Sequence, residues 1–499
     1  MNTAVPLKSV KAEPLRLPEH RHAFYGGEWH KPKSGRYVDS INPGTAESLG
    51  PVADCDAADI DAAVGAAKKA FDGWRNTPPF ERARLLKRVA NVLREHAEEL
   101  AMIDAADCGN PVHEMVMDAT VAAAQIDFYA GLVTEIKGAS IPMGPGVVNF
   151  TVREPRGVVG RIIPFNHPFM FCAGKIGAPV ATGNTVVMKP PEQAPLSSLR
   201  LAELIGGILP PGVLNVVPGG RDAGSSLTTH RDVAMIALIG SVPTGRAVMK
   251  AAADTLKPVM LELGGKNALI AYPDADPDEV AAAVVGGMNF TWCGQSCGST
   301  SRAFIHASMY EAVLAKVKAK IAHYRPGIAT DRSTTMGAII SKTQYERILG
   351  FIDSAKKEGA RLLCGGGRPS DPALAKGLFI EPTVFADVQP SMRIAREEIF
   401  GPVLSIFKWS DEAAMLQEVN AVEYGLTASI WTNDLSIAHR TAGIVQSGFV
   451  WINEVSKHFL GAPFGGFKQS GVGREECIEE MFAYTQEKNI HVKLRPPKA

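Results

Sequence analysis

The stretch MIALIGSVPTGRAVMKAAADTLKPVMLELGG, residues 235–265, contains a short apolar run, a glycine turn, a segment of helical length from Arg246 to Ala253, and a second apolar run. Apolar strands that alternate with helices are typical of βαβ units, in which the parallel strands are buried on both faces. This stretch therefore predicts an α/β fold built on a parallel sheet.

The same alternation continues on both sides of this stretch. It includes the apolar runs TVVMKP and VLNVVPGG and a helical segment from Leu196 to Ile208 before it, and NALIAYP directly after it. A second alternation, with the runs FIH, TVF, VLSIFK and SIWTN, extends from about Ala303 to Gly448 and predicts a second α/β domain. VNFTVREP and KNIHVKL are strand-like. Residues 80–103 predict one amphipathic helix, which the sequence Gly109-Asn110-Pro111 would end.

The composition argues against several classes of protein. The 499 residues include 52 Lys plus Arg and 52 Asp plus Glu, so no basic excess favours nucleic acid or an acidic membrane, whereas a net charge of zero weakly favours self-association. The seven cysteines are scattered, without a CxxC pair or a Cys/His cluster, which predicts a reduced cytoplasmic protein with no metal site. The amino terminus lacks an apolar signal segment, and the uncharged stretch from Val280 to Ser301 contains too many polar residues and glycines for a membrane span.

Cys297 lies in FTWCGQSCGSTSR, a turn rich in glycine and serine at the edge of an apolar segment. Small residues let backbone N–H groups approach a substrate closely, and a thiol in such a turn can attack a carbonyl carbon. A lone cysteine is, however, more often a buried core residue. The segment alone leaves both interpretations open.

Two further residues have chemistry that fits the same hypothesis. Glu262 in LELGGK follows an apolar run, where a carboxylate at the end of a strand can act as a general base, although it could equally pair with Lys266 on a surface turn. Asn166 in IIPFNHP lies between two prolines at a strand-to-helix junction. Its amide could donate to an oxyanion, or it could cap the following helix.

Three motifs are candidates for cofactor contacts. Lys189 and Glu192 in MKPPEQAP follow a strand, where they could bind a phosphate or a ribose, or belong to a solvated loop. The sequence from Gly240 to Gly245 opens a helix, whose first N–H groups suit a pyrophosphate, although it differs from the usual GxGxxG pattern. Glu398 belongs to an acidic pair that on composition is a solvated loop.

Taken together, the order and wording of these motifs resemble the aldehyde dehydrogenase superfamily from about Phe24 to Val492. The shared wording comprises IIPFNHP, VVMKPPEQAP, GSVPTG, LELGGKN, GQSC, EEIFGP and PFGGFKQSGVGRE, in the family's order. The resemblance implies a Rossmann-type cofactor domain, an α/β catalytic domain and a small β oligomerisation element. The sequence departs from the commonest wording at Cys293, where glutamine is frequent; Cys293 is interpreted as a packed small residue rather than as a redox partner of Cys297.

The resemblance also implies a role for each matched position. Cys297 matches the nucleophile, Glu262 the general base, Asn166 the oxyanion donor and Glu475 a second carboxylate sometimes assigned to a proton relay. The implied cofactor contacts are Ile162, Pro164, Lys189, Glu192, Gly240, Ser241, Gly245, Glu398 and Phe400. The implied substrate pocket comprises His167, Met170, Phe171, Gly174, Lys457, His458 and Phe459.

These roles predict covalent oxidation of an aldehyde to a carboxylic acid. The thiolate of Cys297 would form a thiohemiacetal, loss of hydride would leave a thioester, and Glu262 would activate the water that hydrolyses it. Glu192 would repel a 2′-phosphate, so NAD is expected rather than NADP. Because many relatives carry a bulky aromatic residue at the position of Gly174, a roomy tunnel for a bulky or aromatic aldehyde is expected.

The resemblance predicts the domain boundaries as well. Residues 1–132 and 156–264 would form the cofactor domain, 265–468 the catalytic domain, and 133–155 with 486–499 the oligomerisation element. Strand-like segments with exposed edges favour a homodimer or homotetramer. Alternative functions are a CoA-acylating aldehyde dehydrogenase, against which Glu262 argues, a thiol esterase, and a structural protein on an inactive enzyme scaffold.

Overall fold

The computed structural model describes residues 15–495, which form two large sheets with helices packed on them. The strands of the first sheet, in spatial order, are Glu28–His30, Ala23–Tyr25, Leu214–Val216, Thr185–Lys189, Val158–Ile162, Val233–Ile239, Val259–Glu262 and Gly471–Val472. Its five inner strands, from Leu214–Val216 to Val259–Glu262, are parallel to one another. Numbered along the chain, these five are ordered 3-2-1-4-5, which is the order of a Rossmann-type sheet and confirms the predicted fold class.

The second large sheet belongs to the carboxyl-terminal half of the chain. Its strands, in spatial order, are Arg361–Cys364, Thr383–Ala386, Val403–Trp409, Arg302–His306, Ala268–Ala271, Thr427–Trp431 and Phe449–Ile452. All neighbours are parallel except the first pair. Each large sheet has its own buried apolar core, because helices cover both faces of a parallel sheet.

Three smaller sheets complete the strands. Thr485–Lys493, Val147–Pro155 and Ser140–Ile141 form an antiparallel sheet, in which the first two strands pair along nine residues each. Tyr37–Ile41 pairs with Ser48–Ala53, and Tyr424–Gly425 pairs with Phe467–Lys468. The strands predicted in VNFTVREP and KNIHVKL are thus confirmed, whereas the domain boundaries stay a prediction whose ends, 1–14 and 496–499, lie outside the described residues.

The helices connect these strands and cover the sheets. In chain order the α-helices are Ala57–Arg75, Pro79–Glu95, Ala97–Cys108, Val112–Gly131, Pro168–Gly174, Gly177–Ala181, Leu196–Ile205, Arg221–Thr229, Val242–Ala253, Pro277–Gly286, Tyr310–Ile321, Lys342–Lys357, Arg393–Arg396, Glu412–Asn420, Leu435–Ile444 and Ile478–Ala483. Short 3-10 turns occur at Phe290–Trp292 and Pro372–Leu374.

The prediction of one helix over residues 80–103 was wrong. The chain leaves the helical conformation at His96 (φ −107°, ψ 16°), which separates Pro79–Glu95 from Ala97–Cys108. The imidazole Nδ1 of His96 lies 2.8 Å from Glu99 Oε2 of the second helix. The apolar spacing survives this break because both helices bury residues in the same core, so periodicity alone could not reveal it.

The uncharged stretch from Val280 to Ser301 packs largely in the core beside the second large sheet. It begins in helix Pro277–Gly286 and continues as an irregular loop, and many of its apolar side chains belong to the core under the second sheet. Across residues 15–495, no helix has the length and apolar character needed to cross a membrane.

Candidate functional site

Cys297 lies on a loop between the two large sheets. The turn Phe290–Trp292 is flanked by Asn289 and Cys293, which both take positive φ angles (56° and 55°). The loop begins at Cys293 and ends at strand Arg302–His306. The side-chain amide of Asn267 donates to the carbonyl oxygens of Cys297 (2.6 Å) and Ser299 (3.0 Å). The loop is therefore fixed at its backbone, while the Cys297 side chain remains partly exposed.

The thiol of Cys297 is in a setting that disfavours its ionised form. Burial raises its pKa to about 12, and the nearby carboxyl groups of Glu262 and Glu398 contribute to the same shift. Hydrogen bonds from the backbone N–H groups of Cys297 and Gly298 act in the opposite direction. A thiol with so high a pKa is protonated at neutral pH, so the sulfur needs a base before it can attack.

Glu262 is the last residue of strand Val259–Glu262, at the carboxyl edge of the first sheet. Its side chain is 5% exposed, and within residues 15–495 neither carboxyl oxygen has a hydrogen-bond partner. Burial raises its pKa well above the usual range, and the charge of Glu475 adds to this effect, whereas Lys175 opposes it. A Cβ at Gly465 would lie 2.8 Å from Glu262 Oε1, so a glycine there leaves room for the carboxyl group.

Glu475, whose charge acts on Glu262, forms ion pairs with two buried cations, Arg161 and Lys175. Both terminal nitrogens of the Arg161 guanidinium donate to Glu475 Oε1 (3.0 Å each), and Lys175 Nζ lies 2.9 Å from Oε2. All three side chains are at most 3% exposed. Burial alone would raise the pKa of Glu475, but Lys175 and Arg161 outweigh it and the pKa is lowered. Glu475 is therefore a fixed negative charge beside Glu262.

Asn166 follows strand Val158–Ile162 and is buried. The N-cap of the next helix, Pro168–Gly174, is His167, so the alternative prediction that Asn166 caps this helix was wrong. The Asn166 carbonyl oxygen accepts a hydrogen bond from Asn110 Nδ2 (2.7 Å). This hydrogen bond involves only the backbone carbonyl of Asn166 and leaves its side-chain amide for another role.

The residues predicted to contact the adenosine ribose lie at the carboxyl end of strand Thr185–Lys189. Lys189 Nζ donates to the carbonyl oxygens of Pro190 and Gly219 (2.8 Å each), and burial lowers its pKa to about 8 despite the opposing charge of Glu192. Glu192 is exposed and borders a cavity of about 770 Å³, whose lining does not include Cys297. A Cβ at Gly220 would meet Glu192 Oε2 at 2.8 Å, so this glycine leaves space beside the carboxylate.

The glycine turn predicted for a pyrophosphate opens helix Val242–Ala253. Ser241 is the N-cap, and its Oγ accepts from Thr244 N (3.4 Å). A Cβ at Gly245 would stand 2.6 Å from Leu263 Cδ1, so glycine lets the helix approach the strand end closely. The turn follows strand Val233–Ile239, which pairs with strand Val158–Ile162, so the turn lies close to Ile162 and to Pro164 just after it. The order of the strands in the sheet reverses between these two strands. Open α/β sheets bind ligands at this point.

Glu398 and Phe400 reach the site from the second domain. Gly265 N donates to Glu398 Oε1 (2.8 Å), and a Cβ at Gly264 would lie 2.1 Å from Glu398 Oε2, so two glycines after Glu262 admit the carboxyl group. Burial raises the pKa of Glu398 to about 7. Phe400 takes a positive φ of 54°, and Gln344 Nε2 donates to its carbonyl oxygen (2.8 Å).

The predicted substrate-pocket residues fall into two groups. His167 is buried, while Met170 and Phe171 beside it are partly exposed. Lys457, His458 and Phe459 lie on an exposed loop, where Phe459 is 60% exposed and His458 Nδ1 is 3.2 Å from Glu476 Oε2.

The expectation that Gly174 widens the tunnel needs correction. A Cβ at this position would stand 2.0 Å from Gln125 Oε1 and 3.5 Å from Ala122 Cα of helix Val112–Gly131. Gly174 thus serves the close approach of two helices, and Gln125 fills the space that a larger side chain would take.

Several residues that the sequence did not single out help to build the site. Asn267 fixes the Cys297 loop, Lys175 and Arg161 pair with Glu475, and Gln344 holds the Glu398–Phe400 segment. Asn267 falls inside the quoted motif LELGGKN, so its polar character was the available signal. In the part of the chain that is described, no cluster of His, Cys, Asp and Glu could hold a metal ion, and all seven cysteines are free thiols.

Comparison with known proteins points to one group of enzymes. The model of the aldehyde dehydrogenase family matches residues 29–490. Aldehyde dehydrogenase tropH of Talaromyces stipitatus is 51% identical over 486 residues, which cover 96% of this chain and 94% of that protein.

Solved structures agree with this match. The NAD+ complex of aldehyde dehydrogenase from Bacillus cereus has a TM-score of 0.92 and 38% identity, with 96% of this chain and 97% of that chain covered. The indole-3-acetaldehyde dehydrogenase AldA of P. syringae, in complex with NAD+ and IAA, has a TM-score of 0.93 and 35% identity, with 97% and 98% covered.

Proposed function

Because the chain belongs to the aldehyde dehydrogenase family and is an NAD(P)-dependent aldehyde dehydrogenase, we propose that it oxidises an aldehyde through a thioester on Cys297. The observation that carries this proposal is the carboxyl group of Glu262, which is buried beside the Cys297 loop without a hydrogen-bond partner in the described chain. A buried acid without a partner costs free energy, and such a cost is typical of catalytic groups.

The first step is attack of the Cys297 sulfur on the aldehyde carbon. Glu262 accepts the thiol proton, and the carbonyl oxygen becomes an oxyanion, to which the Asn166 amide and a backbone N–H of the Cys297 loop donate. The two backbone N–H groups that already oppose the raised pKa of Cys297 are suited to this task. A nicotinamide held here would supply the hydride acceptor for this adduct, and loss of the hydride would leave Cys297 as a thioester.

Hydrolysis of the thioester needs a base. Once the thiol proton has passed from Glu262 to solvent, the ionised Glu262 takes a proton from water, the resulting hydroxide adds to the thioester carbon, and the acid is released as the Cys297 thiolate leaves. Glu475 does not take over that proton, because cations already contact both of its oxygens. Together with burial, the charge of Glu475 raises the pKa of Glu262, so that the Glu262 carboxylate, once ionised, is a stronger base.

The residues present fit a dinucleotide cofactor. The Gly240–Gly245 turn at the start of helix Val242–Ala253 suits a pyrophosphate, Lys189 and Glu192 suit the adenosine ribose, and Glu398 suits the second ribose. The solved structure of the Bacillus cereus relative, which contains NAD+, supports this assignment.

A cytoplasmic location and a homo-oligomer, formed through the edge of strand Thr485–Lys493, are part of the same proposal.

We expect NAD to be preferred over NADP. Glu192 borders the proposed ribose site together with Asp54 and Asp222, and these carboxylates would repel a 2′-phosphate. Glu192→Gln should raise kcat/KM for NADP relative to NAD by about fivefold, since an exposed charge pair contributes about 1 kcal/mol. Glu95→Gln, an exposed change at the end of helix Pro79–Glu95, is the matched control. An unchanged ratio in the Glu192 variant would contradict this explanation.

The function itself is tested by following the formation of NADH spectroscopically. The purified protein is given NAD and a panel of short aliphatic, long aliphatic, aromatic and carboxylate-bearing aldehydes, with and without CoA. We expect the acid as product without any requirement for CoA, because Glu262 supplies the base for water. A strict requirement for CoA, with an acyl-CoA product, would contradict hydrolytic deacylation.

A further inference from the structure

The segment that carries Asn166 is held from behind by one helical hairpin, helices Ala97–Cys108 and Val112–Gly131 with the turn between them. Asn110 Nδ2 in the turn donates to the Asn166 carbonyl oxygen (2.7 Å). Asp118 Oδ2 on the second helix lies 2.7 Å from His167 Nδ1. The side chains of Asn110, Asp118, Asn166 and His167 are all buried. The hairpin thus holds the backbone carbonyl of Asn166 and the side chain of the residue after it.

A third contact extends this arrangement by two residues. Phe169 N, in the first turn of helix Pro168–Gly174, donates to Asp104 Oδ2 (3.1 Å) on the first helix of the hairpin. His167 also packs edge-on against Trp292, whose ring centroid is 4.9 Å away and which belongs to the turn that leads to Cys297. The hairpin, the Asn166 segment and the Cys297 loop are therefore in mutual contact.

The turn of the hairpin is itself fixed by the second domain. Gly109 has a φ of 82°, and its carbonyl oxygen accepts from Ala338 N (2.9 Å), while Val112 N donates to Ala329 O (2.9 Å). A Cβ at Gly109 would approach Pro43 Cγ to 2.8 Å, so this position requires glycine on both conformational and steric grounds. Asn110 is consequently presented to Asn166 from a rigid support.

We propose that Asn110 and Asp118 are positioning residues that hold the side-chain amide of Asn166 at the place where the oxyanion forms. This inference rests on the proposed function, because it requires Asn166 to be an oxyanion donor. A donor acts only if it is aimed at the oxyanion, and a displacement of about 1 Å can cost about 10²-fold in rate. One contact holds the backbone carbonyl of Asn166 and the other holds the side chain of the next residue, His167, so losing either one releases the segment and displaces the amide.

The test compares a reaction that forms an oxyanion with one that does not. Asn110→Ala, Asn110→Asp and Asp118→Asn should each lower the pre-steady-state rate of NADH formation by about 10- to 100-fold. Alkylation of Cys297 by iodoacetamide, followed by mass spectrometry of its peptide, proceeds by direct displacement without an oxyanion, and we expect it to be unchanged, as is the affinity for NAD. Asp127→Asn, a change on the same helix at a partly exposed residue that pairs with Arg94, is the matched control.

A second comparison separates positioning from general loosening. In an Asn166→Ala background there is no amide to aim, so adding Asn110→Ala should cause no further loss of rate. A further loss there, or a parallel loss of alkylation rate, would overturn the proposal in favour of a structural role. A normal rate in the Asn110 and Asp118 variants while Asn166→Ala is slow would overturn it as well. Absence of NADH formation by the unmodified protein with every aldehyde would instead refute the proposed function.

Discussion

Cys297→Ala is expected to abolish NADH formation with every aldehyde, a loss of at least about 10⁴-fold, because removing a covalent nucleophile leaves only binding and electrostatic effects. Among the seven free cysteines, Cys297 is partly exposed, lies near Glu262 and Glu398, and has backbone N–H groups directed at its sulfur. Alanine keeps the backbone and removes only the sulfur, so NAD binding should remain. The measurement is NADH formation at saturating NAD, with cofactor binding followed separately by protein fluorescence.

Cys293→Ala is the matched control for this experiment. Cys293 lies on the same loop but is fully buried, and burial raises the pKa of its thiol far above the usual range, so its sulfur is an inert core atom. We expect this variant to retain most of its activity. Loss of activity in Cys293→Ala together with retained activity in Cys297→Ala would reverse the assignment of the nucleophile.

The parallel strands were predictable because their signal is local. Runs such as MIAL and TVVMK are apolar on both faces, and glycine or proline follows each of them. Glu262 and Lys189 end two such runs, so their position at the carboxyl edge of the first sheet followed from the pattern. The glycine and serine residues around Cys297 predicted the turn that contains it, but they did not predict the hydrogen bond from Asn267 to that turn.

Features that depend on contacts between distant segments were not predictable. Arg161 belongs to a strand and Lys175 follows a helix, and both pair with Glu475 in a segment near the end of the chain. Arg161 and Glu475 are 314 residues apart in the sequence. The space beside Gly174 is filled by Gln125, and nothing in either local sequence indicates that they meet. The break at His96 was hidden because both helices face one core.

Glu262→Gln is expected to separate the two halves of the reaction. Glutamine is nearly isosteric but cannot accept a proton, so hydrolysis of the thioester should slow by about 10²- to 10⁴-fold. NADH should then form in a burst that approaches one equivalent per active site, followed by slow turnover. Mass spectrometry should detect the acyl group on the Cys297 peptide. Glu28→Gln, an exposed change on an edge strand of the same sheet, should behave as the unmodified protein does.

The pH dependence of turnover gives this variant its sharpest test. Burial and the charge of Glu475 raise the pKa of Glu262, so the base is protonated and inactive at low pH, and steady-state turnover should increase as the pH rises through a value well above that of an ordinary carboxyl group. In Glu262→Gln this acid limb should disappear, because no group remains there to titrate. An acid limb that persists unchanged in the variant would assign the base to another residue, and unchanged turnover would show that deacylation needs no base from Glu262.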